Sequence, residues 1–175
     1  MSRPKMPVRD WQAEVYAQHQ YWIAGKPIHM AVGDGWAEVI ARLFDRIEKA
    51  LAGEPVPTKI ALIDVKEKYG TIRVDLLAPV GPETEAAIDL AVLLAEMRSE
   101  CTCDICGAPG TVRSTLGQSG WLAARCEDHS DGFPRRVVKG PPRRRIQDRR
   151  GTFDLVYDRR TDTIMETAVD GGDSR

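Results

Sequence analysis

The residues whose types and spacing could do chemistry are Cys103 and Cys106, in Cys-Asp-Ile-Cys-Gly, and Cys126 and His129, in Cys-Glu-Asp-His. Thiolate and imidazole are the donors that zinc favours, and two pairs, each separated by two residues, can close a tetrahedron around one ion. The pattern therefore identifies Cys103, Cys106, Cys126 and His129 as the ligands of a single Zn2+. Gly107 follows the second cysteine and lets the backbone fold over the sulfurs. With four protein donors there is no open position for water, so the zinc is expected to be structural. Such an ion can contribute on the order of 10 kcal/mol to the folding of a small module. Cys101 is a spare thiol in Cys101-Thr102-Cys103. Cys-x-Cys suits a mononuclear tetrahedron less well than Cys-x-x-Cys, so Cys101 is read as a non-ligand.

The two pairs must be brought together by the chain between them. Residues 111–115 and 121–125 read as short strands, with Gly117-Gln118-Ser119-Gly120 as their turn, which returns Cys126 and His129 to the first pair. Residues 101–134 thus form a zinc-ribbon-like module. A treble clef would carry Cys126 and His129 on a helix, and Gly132 and Pro134 leave that helix almost no length.

No complete catalytic constellation is visible in the sequence. Asp128-His129 followed by Pro134 has three residues in common with the ββα-metal nucleases, whose histidine acts as general base with a later Asn. This chain contains no Asn, and its other histidines, His19 and His29, lie far upstream. Ser114, Ser119 and Ser130 have no free histidine beside them, and neither a Gly-x-Ser-x-Gly elbow nor a Gly-rich phosphate loop occurs. The expectation is a protein that is not an enzyme.

Ahead of the cysteines, residues 1–100 read as an α+β domain. Helices are expected at about 10–24, capped by Asp10, at 36–52, capped by Asp34, and at 83–99. In the second, Trp36, Ile40, Leu43, Phe44, Ile47 and Leu51 recur at three and four residues and share a face. In the third, Ala87, Leu90, Ala91, Leu94 and Met97 make the apolar stripe. A β-hairpin over about 58–77 turns at Glu67 to Gly70 and points Ile72, Val74 and Leu76 inward. The order α-α-β-β-α offers no βαβ crossover.

The formal net charge of -1 is unevenly spread: the balance is -3 over residues 1–100, +5 over 101–150 and -3 over 151–175. Much of the positive block is Arg135, Arg136, Lys139, Arg143, Arg144, Arg145, Arg149 and Arg150, interrupted by Gly140-Pro141-Pro142 and opposed only by Asp148. Like charges and Pro-Pro predict that 135–151 is an extended, solvated segment: an arm lying along phosphates, or a linker whose arginines pair with the acidic domain. Residues 152–175 should form a short hairpin with a frayed end at 171–175. No apolar run follows Met1-Ser2-Arg3-Pro4-Lys5, and the apolar stretches are too short to span a bilayer, so no membrane association is expected. Clustered cysteines without an export signal point to metal ligation in the cytoplasm.

Three ordered segments carry a resemblance. Gly33-Asp34-Gly35-Trp36, Asp64 to Arg73, and Cys103 to Gly110 with Gly120-Trp121 to His129 are similar to a group of small proteins encoded by tailed phages and prophages. The match covers roughly residues 33–130. It implies an α+β N-terminal part, a Cys-x-x-Cys-Gly…Cys-x-x-His zinc module and a mobile-element origin, and it implies no activity. Together with the basic block, the leading expectation is a zinc-binding protein that contacts nucleic acid in the host cytoplasm. The alternative is an inhibitor or adaptor docking on a host protein complex, such as defence or transcription machinery. No small-molecule substrate is evident.

Overall fold

Trp36 has no exposed surface, and its indole Nε1 donates to the Thr102 carbonyl at 2.8 Å, so the helical part and the cysteine segment share one interior. The computed structural model describes residues 10–116 and 120–168, except for the side chain of Asp148. Among the described residues, three helices and three small sheets make an α+β fold. Most of the turn expected at 117–120, and the terminal segments 1–9 and 169–175, lie outside them.

Helix α1, Trp11–His19, is capped as expected, with Asp10 Oδ1 accepting from Ala13 N at 3.1 Å. It ends at His19, not near residue 24. Trp22 is buried from the turn after α1 and Ile23 from extended backbone: Ile23–Ala24 is strand β1, and the Trp22 carbonyl accepts from Ile60 N at 3.0 Å. Trp22 also meets the Phe44 ring edge-on at 5.3 Å between centroids. The β-branched Ile23 suits the sheet position, and the turn lets the Trp22 ring reach Phe44.

The next element is a 3₁₀ turn, Asp34–Trp36, which leads into helix α2, Ala37–Leu51. Asp34 does not cap α2; its Oδ1 accepts from Trp11 Nε1 at 2.9 Å and ties α1 to the turn. The spaced apolar residues of α2 are buried as the periodicity requires. Strand β2, Ile60–Lys68, runs parallel to β1 and antiparallel to β3, Thr71–Leu77. Strand β1, helix α2 and β2 therefore do form a crossover, which corrects the expectation that none exists. The two-residue β1 is too short to register as a strand in the sequence. Register shifts between Leu62 and Asp64, and Ile63 is turned out at this bulge.

Helix α3, Pro82–Glu100, starts with Gly81 at the cap and Pro82 in its first turn. Its buried face is Ile88, Ala91, Leu94, Ala95 and Met97, while Ala87 and Leu90 of the expected stripe are exposed. The helix is gripped on two sides, which rotates the stripe. Ile88, Ala91 and Ala95 join the main core, and Leu94 and Met97 pack with Tyr157 in a second cluster.

Strands β4 (Thr111–Ser114), β5 (Leu122–Arg125) and β6 (Arg135–Arg136) form a sheet in the order β5-β4-β6. Ala124 of β5 belongs to the main core. Strands β7 (Arg143–Asp148), β8 (Gly151–Asp158) and β9 (Thr163–Ala168) form a third, antiparallel sheet. This corrects the reading of 135–151 as an extended solvated segment. Arg143, Arg144 and Arg145 lie on a strand paired to Val156, Leu155 and Asp154, and carboxylates on neighbouring elements offset the charge repulsion that argued for an unpaired chain.

The start of α2 meets the first cysteine pair with no room to spare. Gly35 N donates to the Asp104 carbonyl at 2.9 Å. A Cβ on Gly35 would collide with the Cys103 carbonyl and lie 2.6 Å from Gly107 N. All of these are backbone atoms held by the knuckle, so they cannot swing away. Gly35→Ala is expected to cost about 3 kcal/mol by urea denaturation; a loss below about 1 kcal/mol would mean that this junction yields easily.

Candidate metal centre

The first ligand pair is shaped by its own backbone. Cys103 N donates to the Ala108 carbonyl at 2.8 Å and Gly107 N to the Cys103 carbonyl at 2.9 Å, with Gly107 at φ +77°. The Asp104 N–H donates to the Ala124 carbonyl at 3.0 Å, which pins this loop on β5, the strand leading to Cys126. The second pair follows β5 immediately, and Ser130 N closes its turn on the Glu127 carbonyl at 3.2 Å.

The four donor atoms of Cys103, Cys106, Cys126 and His129 lie within 4.8 Å of one another. Cys106 Sγ is 3.8 Å from Cys126 Sγ, and His129 Nδ1 is 3.3 Å from Cys126 Sγ and 3.7 Å from Cys103 Sγ. Metal–sulfur bonds of about 2.3 Å and metal–nitrogen bonds of about 2.0–2.1 Å give tetrahedral edges of about 3.8 Å between sulfurs and about 3.5 Å between sulfur and nitrogen. The spacings fit a mononuclear ion bound through Nδ1 of His129. Burial raises the Cys103 thiol, but backbone N–H groups of Cys126, Cys106 and Ile105 more than offset it and bring it down to about 7. Such N–H···S contacts favour the thiolate a metal needs.

Cys101 stands apart. Its Sγ faces the Arg98 carbonyl at 3.3 Å and the Met97 carbonyl at 3.7 Å, and burial pushes the thiol up to about 11. A thiol so held is a poor ligand, consistent with its exclusion from the donor set.

Three ion pairs brace the centre, made by two acids. Asp104, inside the first Cys-x-x-Cys loop, pairs with Arg125, which directly precedes Cys126 and also lies over the Phe133 ring at 5.3 Å. Glu127, inside the second loop, pairs with Arg136 and with the buried Arg113, the latter at 2.6 Å. Sequence reasoning missed all three, though an acid within each ligand loop was a visible signal. No protein-family model, curated protein or solved structure matches this chain. The N-terminal part packs tightly here: Gly35 abuts Cys103, and a Cβ on Gly70 would lie 2.9 Å from Val112 and 3.3 Å from Ala123.

The basic residues are scattered rather than united. Arg136 is held by Glu127, Arg144 by Glu100, Arg143 and Arg145 by Asp154 at 3.1 and 2.9 Å, and Arg150 by Glu166 at 3.0 Å. The Arg145 and Arg143 guanidiniums hold the Asp154 carboxyl below its ordinary range. Arg149 is exposed in the turn between β7 and β8. Among the described residues, Arg135 and Lys139 are exposed without an acidic partner. Among the described residues, no helix is long and apolar enough to cross a membrane.

Proposed function

We propose that this chain is a non-enzymatic, zinc-stapled binding protein of phage or prophage type whose partner is nucleic acid. The observation that carries the reading is the closed set of three sulfurs and one imidazole nitrogen at tetrahedral spacings. Three soft thiolates and an imidazole select zinc over hard, oxygen-preferring ions, and four protein donors leave no position for a reacting water. His129 turns Nδ1 toward two sulfurs, which speaks against a role as general base. With β4 and β5 between the ligand pairs, the unit is ribbon-like, and the basic residues that follow it in the chain, not the acidic unit itself, supply the attraction to phosphate.

Nucleic acid is favoured by the unpaired Arg135 and Lys139 beside this unit, with exposed Lys68 on the β2–β3 turn. Because Arg136, Arg143, Arg144, Arg145 and Arg150 already hold carboxylates, few phosphates are neutralised, and the salt dependence should be moderate. Fluorescence anisotropy with labelled single- and double-stranded oligonucleotides should show log K falling linearly with log salt, with a slope corresponding to about three phosphates. No binding of any oligonucleotide at low salt would overturn the nucleic-acid reading.

One observation favours a second reading. Ile63, turned out at the bulge, and Leu77 are both more than half exposed and rim a hollow of about 320 Å³ floored by Val74 and Ile88. An apolar patch of this kind suits an inhibitor or adaptor that docks on a protein. Ile63→Lys should then abolish capture of that partner and leave oligonucleotide binding unchanged.

A further inference from the structure

Two large aromatic side chains stand in solvent beside the metal unit. Tyr69 and Trp121 are each 68% exposed, although burial is the ordinary fate of such rings. They come from turns distant in sequence, one between β2 and β3 and the other just before β5, yet both line one hollow of about 260 Å³. The juxtaposition is fixed by the close packing of Gly70 on Val112 and Ala123, which seats the β2–β3 turn on the sheet of the metal unit.

Tyr69 is unusual in a second respect. Its φ is +57°, a left-handed conformation that Gly, Asn or Asp adopts at lower cost than an aromatic residue. Turn formation does not call for tyrosine there, so the ring needs another explanation. Lys68 Nζ lies 5.6 Å from its centroid. On its other side Tyr69 borders a wider groove of about 670 Å³, with Leu122, Lys139, Arg143 and Arg144 along its walls. The acids facing these hollows are engaged: Glu100 is paired with Arg144, and Glu67 Oε1 accepts from Gly70 N at 2.7 Å. Exposed rings flanked by cations suit one chemistry in particular: unpaired bases stack on the rings while the backbone follows the positive charges.

We propose that Tyr69 and Trp121 form a stacking platform for single-stranded nucleic acid, continued by the groove that carries Lys139 and Arg143. The proposal rests on the nucleic-acid reading above and deepens it, since a duplex keeps its base faces covered and cannot use such rings. The metal acts at a distance, by holding β5 and therefore Trp121 against the β2–β3 turn. Both DNA and RNA strands offer the needed base faces, and the test separates them.

Labelled oligo-dT, oligo-rU and a blunt DNA duplex are titrated with the full chain and with Tyr69→Asn, Trp121→Ser and Trp121→Phe. Asparagine tolerates the backbone at position 69, and zinc content and melting temperature report that each variant is folded. Either single strand should bind more tightly than the duplex, and the stronger of the two names the partner. Tyr69→Asn and Trp121→Ser should each weaken it about tenfold or more with an unchanged salt slope, and Trp121→Phe should retain most of the affinity. Folded variants that bind single strands as tightly as the parent would overturn the platform while the nucleic-acid reading stands. Preference for the duplex would do the same. Failure of the parent chain to bind any of the three would remove both.

Discussion

Cys103→Ser and Cys126→Ser should each abolish metal retention and unfold far more than the segment between residues 103 and 129. The reason is the way the centre is built into the core. Trp36 Nε1 donates to the Thr102 carbonyl, Gly35 N to the Asp104 carbonyl, and Ala124 belongs to the same apolar cluster as Phe44 and Ile72. A metal-binding free energy on the order of 10 kcal/mol is comparable with the entire stability of a domain of this size, about 5–15 kcal/mol. Far-ultraviolet circular dichroism during chelation should therefore show loss of helix as well as strand, in one transition. Elemental analysis should find about one zinc per chain in the parent and in Cys101→Ser, and almost none in the two ligand variants. Survival of a melting transition for α2 and α3 after complete metal removal would show that the centre is an appendage instead of part of the core.

The second large effect concerns Asp162, in the turn between β8 and β9. Its carboxylate accepts from Tyr157 Oη at 2.6 Å, Arg46 at 2.7 Å and Arg42 at 3.1 Å, and Arg98 lies at 3.5 Å. Arg98 is almost fully buried and also donates to Tyr157 Oη at 3.0 Å. One carboxylate thus fastens the C-terminal sheet to α2 and α3. Asp162→Ala leaves Arg98 and Arg46 without their shared counter-charge and should destabilise this part of the fold by about 3 kcal/mol, the lower end of the range for breaking a buried pair because Arg42 is partly solvated. Urea denaturation measures the loss, and limited proteolysis should release the segment from 143 to 168 while zinc stays bound. A change below about 1 kcal/mol would mean that the apolar contacts of Tyr157 suffice.

The same carboxylate sets a pH dependence. Burial opposes its ionisation, but the Tyr157 hydroxyl and the Arg46 and Arg98 guanidiniums outweigh burial and hold it below the ordinary carboxylate range. A depressed folded-state value means stability that is complete above the unfolded value of about 3.9 and is lost as pH falls through the lower folded one. The C-terminal sheet should loosen in that acid window, and in Asp162→Ala this dependence should be weaker, with Asp154, also held below its ordinary range, supplying what remains.

How much was legible in advance follows from how local each signal is. The ligand set was readable because two-residue spacing and residue type are both local, and the structure brings those four residues together. Helix α2 was readable because its burial is periodic. The strand at Ile23–Ala24 was not, since two residues carry no period and its pairing partner lies beyond α2. The basic block misled for a different reason. Seen alone, 143–145 is three like charges, and the neutralising Glu100 and Asp154 are supplied by other elements. Tyr69 and Trp121 were in view as residues, but their meeting depends on Gly70 packing on Val112 and Ala123, a contact that only the fold creates.

The measurement that bears most directly on a closed, structural zinc centre is X-ray absorption at the zinc edge of the purified chain. Three sulfur neighbours at about 2.3 Å and one nitrogen at about 2.0–2.1 Å, with no oxygen in the first shell, are expected. A light-atom neighbour beyond the single imidazole, or a metal-free protein with Cys106 and Cys126 joined as a disulfide, would contradict it.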